Sequence, residues 1–200
     1  MNIKENQEKF IEIYKRTIKR DGADKLLDYL LSTDFFTAPA SGRNHLAEQG
    51  GLCQHSMNVY HRLLKEVQDE YGADWQKIYS EETVAICALL HDICKVNFYK
   101  EDSKNVKVNG VWEQVPYYTI EDQLPYGHGE KSVYIINGFM RITREEAMAI
   151  NWHMGAFDAR VMGGNQFGMK AAYEQYPIAF MLHIADMQAA YLDEKEKTEV

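Results

Sequence analysis

The sequence predicts a helical domain that carries one small β excursion. Two observations point there. Apolar residues recur at helical spacing in one segment after another, and an Asn109-Gly110 pair between short β-prone runs supplies the strongest local hairpin signal. A third is length: 200 residues match a single domain, and a chain of this size buries about 70% of its unfolded surface. Such a core needs no covalent staples.

Residues 3–20 place Phe10, Ile11, Tyr14 and Ile18 at helical spacing among charges, the pattern of an amphipathic helix with one packed face. A second helix is expected over 24–31. Between 32 and 51 the periodicity is lost and Pro39, Gly42, Gly50 and Gly51 accumulate, which predicts an ordered loop pinned to the core by Phe35 and Phe36. The next helix, 52–70, carries the stripe Leu52, Val59, Leu63 and Val67, with His55 on the same face. Ser80 is a fitting N-cap for a helix over 81–95, and Glu81 and Glu82 suit the positive end of its dipole. Its run VAICALL is apolar all round and leads straight into His91 and Asp92. The hairpin is expected near 105–116. Helices follow over 129–140 and 143–153, the latter with a Thr143/Glu146 capping box and a Gly155 stop. Gly163, Gly164 and Gly168 predict a loop, and Pro177 opens a last helix over 178–191. The charged stretch 193–200 reads as a tail fraying into solvent.

With 22 basic and 30 acidic side chains the net charge is −8, which argues against gripping long nucleic acid, since that requires a Lys/Arg-rich face. The odd set Cys53, Cys87 and Cys94 lacks paired metal spacing, so neither a disulfide framework nor a thiolate zinc site is expected. The N-terminal residues are charged where a secretory signal would be apolar, and the longest aliphatic run, 84–90, is far too short to span a membrane. These features predict a cytoplasmic protein with no membrane association.

Six polar residues occupy apolar stripes or helix boundaries: His55, His91, Asp92, His128, His153 and Asp186. A single histidine on such a stripe is ordinarily a hydrogen-bonded core residue. Six together are harder to explain in that way. Asp186 sits between Leu182 and Ala189 without Arg or Lys at helical spacing, and Asp92 follows Ala88 and Leu89. Burying two carboxylates without cations costs several kcal/mol each or forces protonation. Divalent cations would satisfy both carboxylates and all four imidazoles at once.

In this order the residues, and the blocks GGLCQHS, LLHDICK, YGHGEKSV, NWHMG and LHIADM that hold them, resemble the HD-domain superfamily of metal-dependent phosphohydrolases. The stretches TDFFTAPAS and VNGVWEQVPYYTIEDQLPYGHGEKSV are similar to a group of small bacterial and phage HD hydrolases. The likeness spans residues 33–192, with a motif core of about 50–192 inside a single domain of 1–200. It implies an all-α fold, an HD-domain helical bundle with the hairpin as a small insertion. It further implies a site of His55, His91, Asp92 and Asp186, extended by His128 and His153 to hold a second ion, with Asp92 bridging. Nitrogen and oxygen donors of this kind suit Fe, Mn, Zn, Ni or Co.

The activity implied is phosphomonoester or phosphodiester hydrolysis of a small phosphorylated substrate, a nucleotide or a relative of one, by metal-activated water. Asp92 and Lys95 are the expected catalytic residues; Lys95 matches the family's His-Asp-x-x-Lys pattern and would donate to a phosphate oxygen. Lys131, Arg43 and Glu130 are further candidates for substrate contact. His45, His61 and His183 match no ligand position, and His183 is read as support for the site. Two other readings share the same residues: an HD-fold diiron oxygenase and a nucleotide-binding regulatory module without turnover.

Overall fold

A computed structural model describes residues 1–108 and 110–195; Asn109, on which the hairpin expectation rests, and residues 196–200 of the charged tail lie outside the described residues. The chain folds as an all-α bundle with one two-stranded antiparallel sheet. In order, the helices are α1 (Ile3–Thr17), α2 (Ala23–Ser32), α3 (Gly51–Tyr71), the short α4 (Trp75–Ile78) and α5 (Glu81–Leu90). Strands β1 (Tyr99–Val108) and β2 (Val111–Ile120) follow, and then α6 (His128–Asn137), α7 (Arg144–Trp152), the short α8 (Ala159–Met162), α9 (Gln166–Gln175) and α10 (Pro177–Gln188).

The amphipathic pattern explains the order of packing. Helix α5 buries Val84 through Leu90 on all sides, so it runs through the middle of the molecule. Helix α3 packs on α5 and buries Leu52, Val59, Leu63 and Val67 completely, while α10 packs on both α3 and α7. Phe35 and Phe36 do pin the loop before α3: their rings lie 5.0 and 5.5 Å from Phe10. At the start of α7 the capping box forms as the sequence predicts, with the Glu146 backbone N–H donating to Thr143 Oγ1 and the Thr143 N–H donating to Glu146 Oε2.

Four expectations are corrected. Helix α5 ends at Leu90 rather than at Lys95; the chain then turns, with Asp92 at φ −104° and ψ 16°, and makes one 3₁₀ turn over Ile93–Lys95. The helix has exhausted its apolar face there, and the turn lets adjacent polar residues point into one pocket. The hairpin is longer than 105–116, pairing Tyr99 with Ile120 at its base, because an exposed ribbon is held by its backbone ladder and does not require β-prone side chains throughout. Gly168 lies inside α9 rather than in a loop: a Cβ there would come within 3.1 Å of the Trp152 ring, so the glycine admits close packing against the indole. The described residues after α10 do not fray. Residues Ala189–Asp193 form a π-helical turn, and the next residue, Glu194, is buried at its carboxylate.

Candidate metal centre

The six predicted residues come together where α3, α5, α6, α7 and α10 meet. His55 rises from the buried stripe of α3. His91 and His153 stand at the C-caps of α5 and α7 and use the same local device. Each donates its Nδ1–H to the carbonyl three residues earlier, to Ala88 at 2.8 Å and to Ile150 at 2.7 Å. This satisfies a carbonyl that a helix end otherwise leaves without a partner. Because a carbonyl can only accept, Nδ1 carries the hydrogen in both rings and Nε2 is left as a free lone pair.

Those lone pairs converge. His91 Nε2 lies 3.3 Å from His55 Nε2. His55 Nε2 is also 3.2 Å from Asp186 Oδ1 and 3.7 Å from Asp92 Oδ2. On the other side of the Asp92 carboxylate, Oδ1 lies 2.8 Å from His128 Nε2 and 3.5 Å from His153 Nε2. His153 Nε2 is buried without a hydrogen-bond partner among the described residues. The ligand atoms fall into overlapping clusters, His55 with His91 and Asp92, His91 with His153 and Asp186, and Asp92 with Cys94 and His128, each close enough together to surround an ion.

Could these residues hold divalent ions? Two imidazole nitrogens facing each other at 3.3 Å need a proton or a metal cation between them, and a buried orphan nitrogen such as His153 Nε2 costs as much as a lost hydrogen bond. A cation resolves both. The electrostatics agree. Burial alone would push His55 and His128 down, yet Asp186 and Glu194 hold His55 up at about 9, and Cys94 and Asp92 hold His128 up at about 10. Burial dominates at His91 and pushes it down to about 3, so that ring is a neutral donor. Burial would raise Asp186 and Asp92, but the surrounding imidazoles, and Lys95 in the case of Asp92, keep both carboxyls well below the usual range. The pocket is built for positive charge, and its donor set fits divalent metal.

Lys95 reaches the site from the 3₁₀ turn, its Nζ 2.5 Å from Asp92 Oδ2. With Asp92, Tyr99 and Asp186 it lines a cavity of about 1000 Å³. The other predicted substrate contacts are placed elsewhere. Lys131 is buried, pairs with Asp122 at 2.5 Å and stacks over Phe98. Arg43 is exposed and does not line the cavity, and Glu130 pairs with Arg160 at 2.6 Å. His183 supports the site as expected, donating from Nδ1 to the His153 carbonyl at 2.7 Å. Gly155 makes room for that ring: its φ is +55°, and a Cβ would approach the imidazole to 2.5 Å.

The sequence reading gives no role to three neighbours of the site. Cys94 Sγ lies 3.3 Å from His128 Nδ1. His45, from the loop before α3, and Glu194, after α10, meet at 2.5 Å beside His55. The available signal for Glu194 is the polar stripe His55, Asn58 and Arg62 on α3, which needs something acidic to face it.

Among the described residues no helix is long and apolar enough to cross a membrane. Comparison with curated proteins and with solved structures finds no match. The model of the HD domain family matches residues 52–192, an interval that contains all six converging residues. On that match and this geometry, the chain belongs to the HD domain family, a superfamily of metal-dependent phosphohydrolases.

Proposed function

We propose that this chain hydrolyses a small phosphorylated substrate, a nucleotide or related mono- or diester, with water as the nucleophile. The observation that carries the reading is the convergence of the His55 and His91 Nε2 atoms, 3.3 Å apart, with the carboxylates of Asp92 and Asp186. His55, His91, Asp92 and Asp186 would hold one divalent ion; His128 and His153 would hold a second, with Asp92 shared between them. Fe, Mn, Zn, Ni and Co all suit these donors. Such ions, when bound, supply a water acidic enough to ionise near neutral pH and positive charge opposite the phosphoryl oxygens.

The chain's own groups do the rest. Asp92 would offer one oxygen toward His128 and the other toward His55. Lys95, at the cavity wall, donates to a phosphate oxygen and moves its partner from the Asp92 carboxylate to the substrate. Burial lowers the pKa of this lysine, but Asp92 more than offsets it, so the ammonium stays charged throughout the physiological range. The cavity of about 1000 Å³ is at the upper end of pockets that enclose small ligands, which suits a nucleotide and not a long polymer. Lys131 and Arg43 are left out of this reading, since neither faces the cavity. The free, buried cysteines Cys53, Cys87 and Cys94 support a cytoplasmic location.

Elemental analysis of the purified protein, coupled to phosphatase and phosphodiesterase assays across Mn, Fe, Co, Ni and Zn, tests the proposal. Near two equivalents of metal with oxygen-independent phosphate or nucleoside release is expected. Turnover that requires iron and oxygen would instead assign an oxygenase, and bound metal with no turnover on any phosphorylated compound would assign a regulatory module.

A further inference from the structure

Helix α3 carries His55, Asn58 and Arg62 at intervals of three and four, so the three side chains form one polar stripe along a helix that is otherwise apolar on its packed side. The segment after α10 folds back over that stripe. Arg62 Nε donates to Asp193 Oδ2 at 2.8 Å and makes a second contact through Nη2. Asn58 Nδ2 donates to Glu194 Oε1 at 2.8 Å. His55 Nδ1 lies 3.0 and 3.2 Å from the two oxygens of Glu194. His45 Nδ1 completes the set at 2.5 Å from Oε2.

The Glu194 side chain is 1% exposed, although it lies in a stretch of charges near the end of the chain. The π-helical turn Ala189–Asp193 makes this possible. Its extra residue changes the phase of the helix that carries Asp186, so that Asp186 and Glu194 reach opposite edges of the same ring. A burial this complete, with four donor contacts from α3 and the loop before it, is a built contact and not a chance one. Glu194 and His45 both lie outside the interval 52–192 that matches the HD domain family.

We infer that Glu194 is the positioning residue of this metal centre: its carboxylate holds the Nδ1–H tautomer of His55 and fixes the ring, so that the Nε2 lone pair is presented to the ion. The inference rests on the metal-centre reading given above. The physical reason is general. A ligand imidazole needs one nitrogen protonated and bonded so that the other is free, and a carboxylate in that role also makes the ring more basic and a stronger donor. His91 and His153 obtain this from backbone carbonyls. His55, in the second turn of α3, has no free carbonyl at hand because those that precede it are already paired within the helix; a side chain from elsewhere must serve, and Glu194 does.

The test is metal affinity, measured by chelator competition with Co²⁺ on the full chain. Replacing Glu194 by alanine should weaken binding by about 10–100-fold, the range associated with loss of such a partner, while the melting temperature of the metal-free protein stays close to wild type. Glu194→Gln should recover most of the affinity, because its amide oxygen still accepts from Nδ1–H. Glu194→Met, which fills the same space without an acceptor, makes the same comparison if the alanine variant does not fold. Wild-type affinity in the alanine or methionine variant, or equal loss in these and in Glu194→Gln, overturns the role of Glu194 alone. Failure of the wild-type protein to bind Co²⁺ overturns the metal-centre reading and this inference together.

Discussion

Asp92 faces His128 and His55 with different oxygens: Oδ1 lies 2.8 Å from His128 Nε2, while Oδ2 lies 3.7 Å from His55 Nε2. One carboxylate therefore reaches donors of α6 and of α3 with its two oxygens. Asp92→Asn should remove both metal equivalents and lower activity by more than the roughly 100-fold that loss of an outer-shell partner can cause. His128→Ala should remove one equivalent and leave the other. Metal-to-protein ratios of the two variants, measured side by side, check this; two retained ions in Asp92→Asn would contradict the shared-ligand assignment.

Lys95 should be separable from metal binding. It contacts Asp92 from the cavity side and offers no lone pair to an ion while it is charged. Lys95→Met is expected to keep the wild-type metal content and lose about 10²–10³-fold in kcat, the usual effect of deleting one group that stabilises developing charge. Unchanged kcat would return Lys95 to a purely structural pairing with Asp92.

Helix α6 approaches α7 so closely at Gly129 that a Cβ would lie 2.3 Å from the Asn151 carbonyl oxygen. This contact carries His128 and His153 to the same side of Asp92. Gly129→Ala must push the helices apart, at a cost of about 1–3 kcal/mol for overpacking. Chemical denaturation should show that loss, and metal analysis should show weakening of the second equivalent before the first.

Glu146, fully buried, receives two hydrogen bonds from the Arg20 guanidinium, at 2.7 and 2.9 Å, and also closes the capping box of α7. Glu146→Ala leaves Arg20 partly buried without its main partner, and breaking such a pair costs about 3–5 kcal/mol. The melting temperature should fall sharply, while kcat measured well below it should be unchanged, because the pair is remote from the cavity.

One half-buried carboxyl makes a pH prediction. Burial pushes Glu66 up to about 7, against the lowering influence of Arg62. A folded-state pKa above the unfolded one means the folded protein holds the proton more tightly. Its contribution is therefore full below the unfolded value and is lost as pH rises through 7. Glu66→Gln should then melt higher than wild type near about pH 8 and equal it near about pH 4. A difference independent of pH would sink this account.

The sequence by itself determined the bundle, the capping of α7, the burial of α5 and all six candidate ligands. These are local properties. A histidine or aspartate on an apolar stripe advertises its burial through its immediate neighbours, as His55 does beside Leu52 and Val59, and the match to a known family strengthened that reading. Tertiary structure decided what depends on contacts between distant segments. The role of Gly168 in α9 is visible only against the Trp152 ring, and Lys131, legible as a charge in a helix start, turned out to be buried against Asp122 and Phe98. Glu194 is the clearest case: in sequence it is one acid among several in a charged stretch, and only the fold-back of the chain onto α3, 139 residues away from it at His55, gives that carboxylate a partner. Periodicity reports whether a residue is buried; it carries no information on which buried group it will meet.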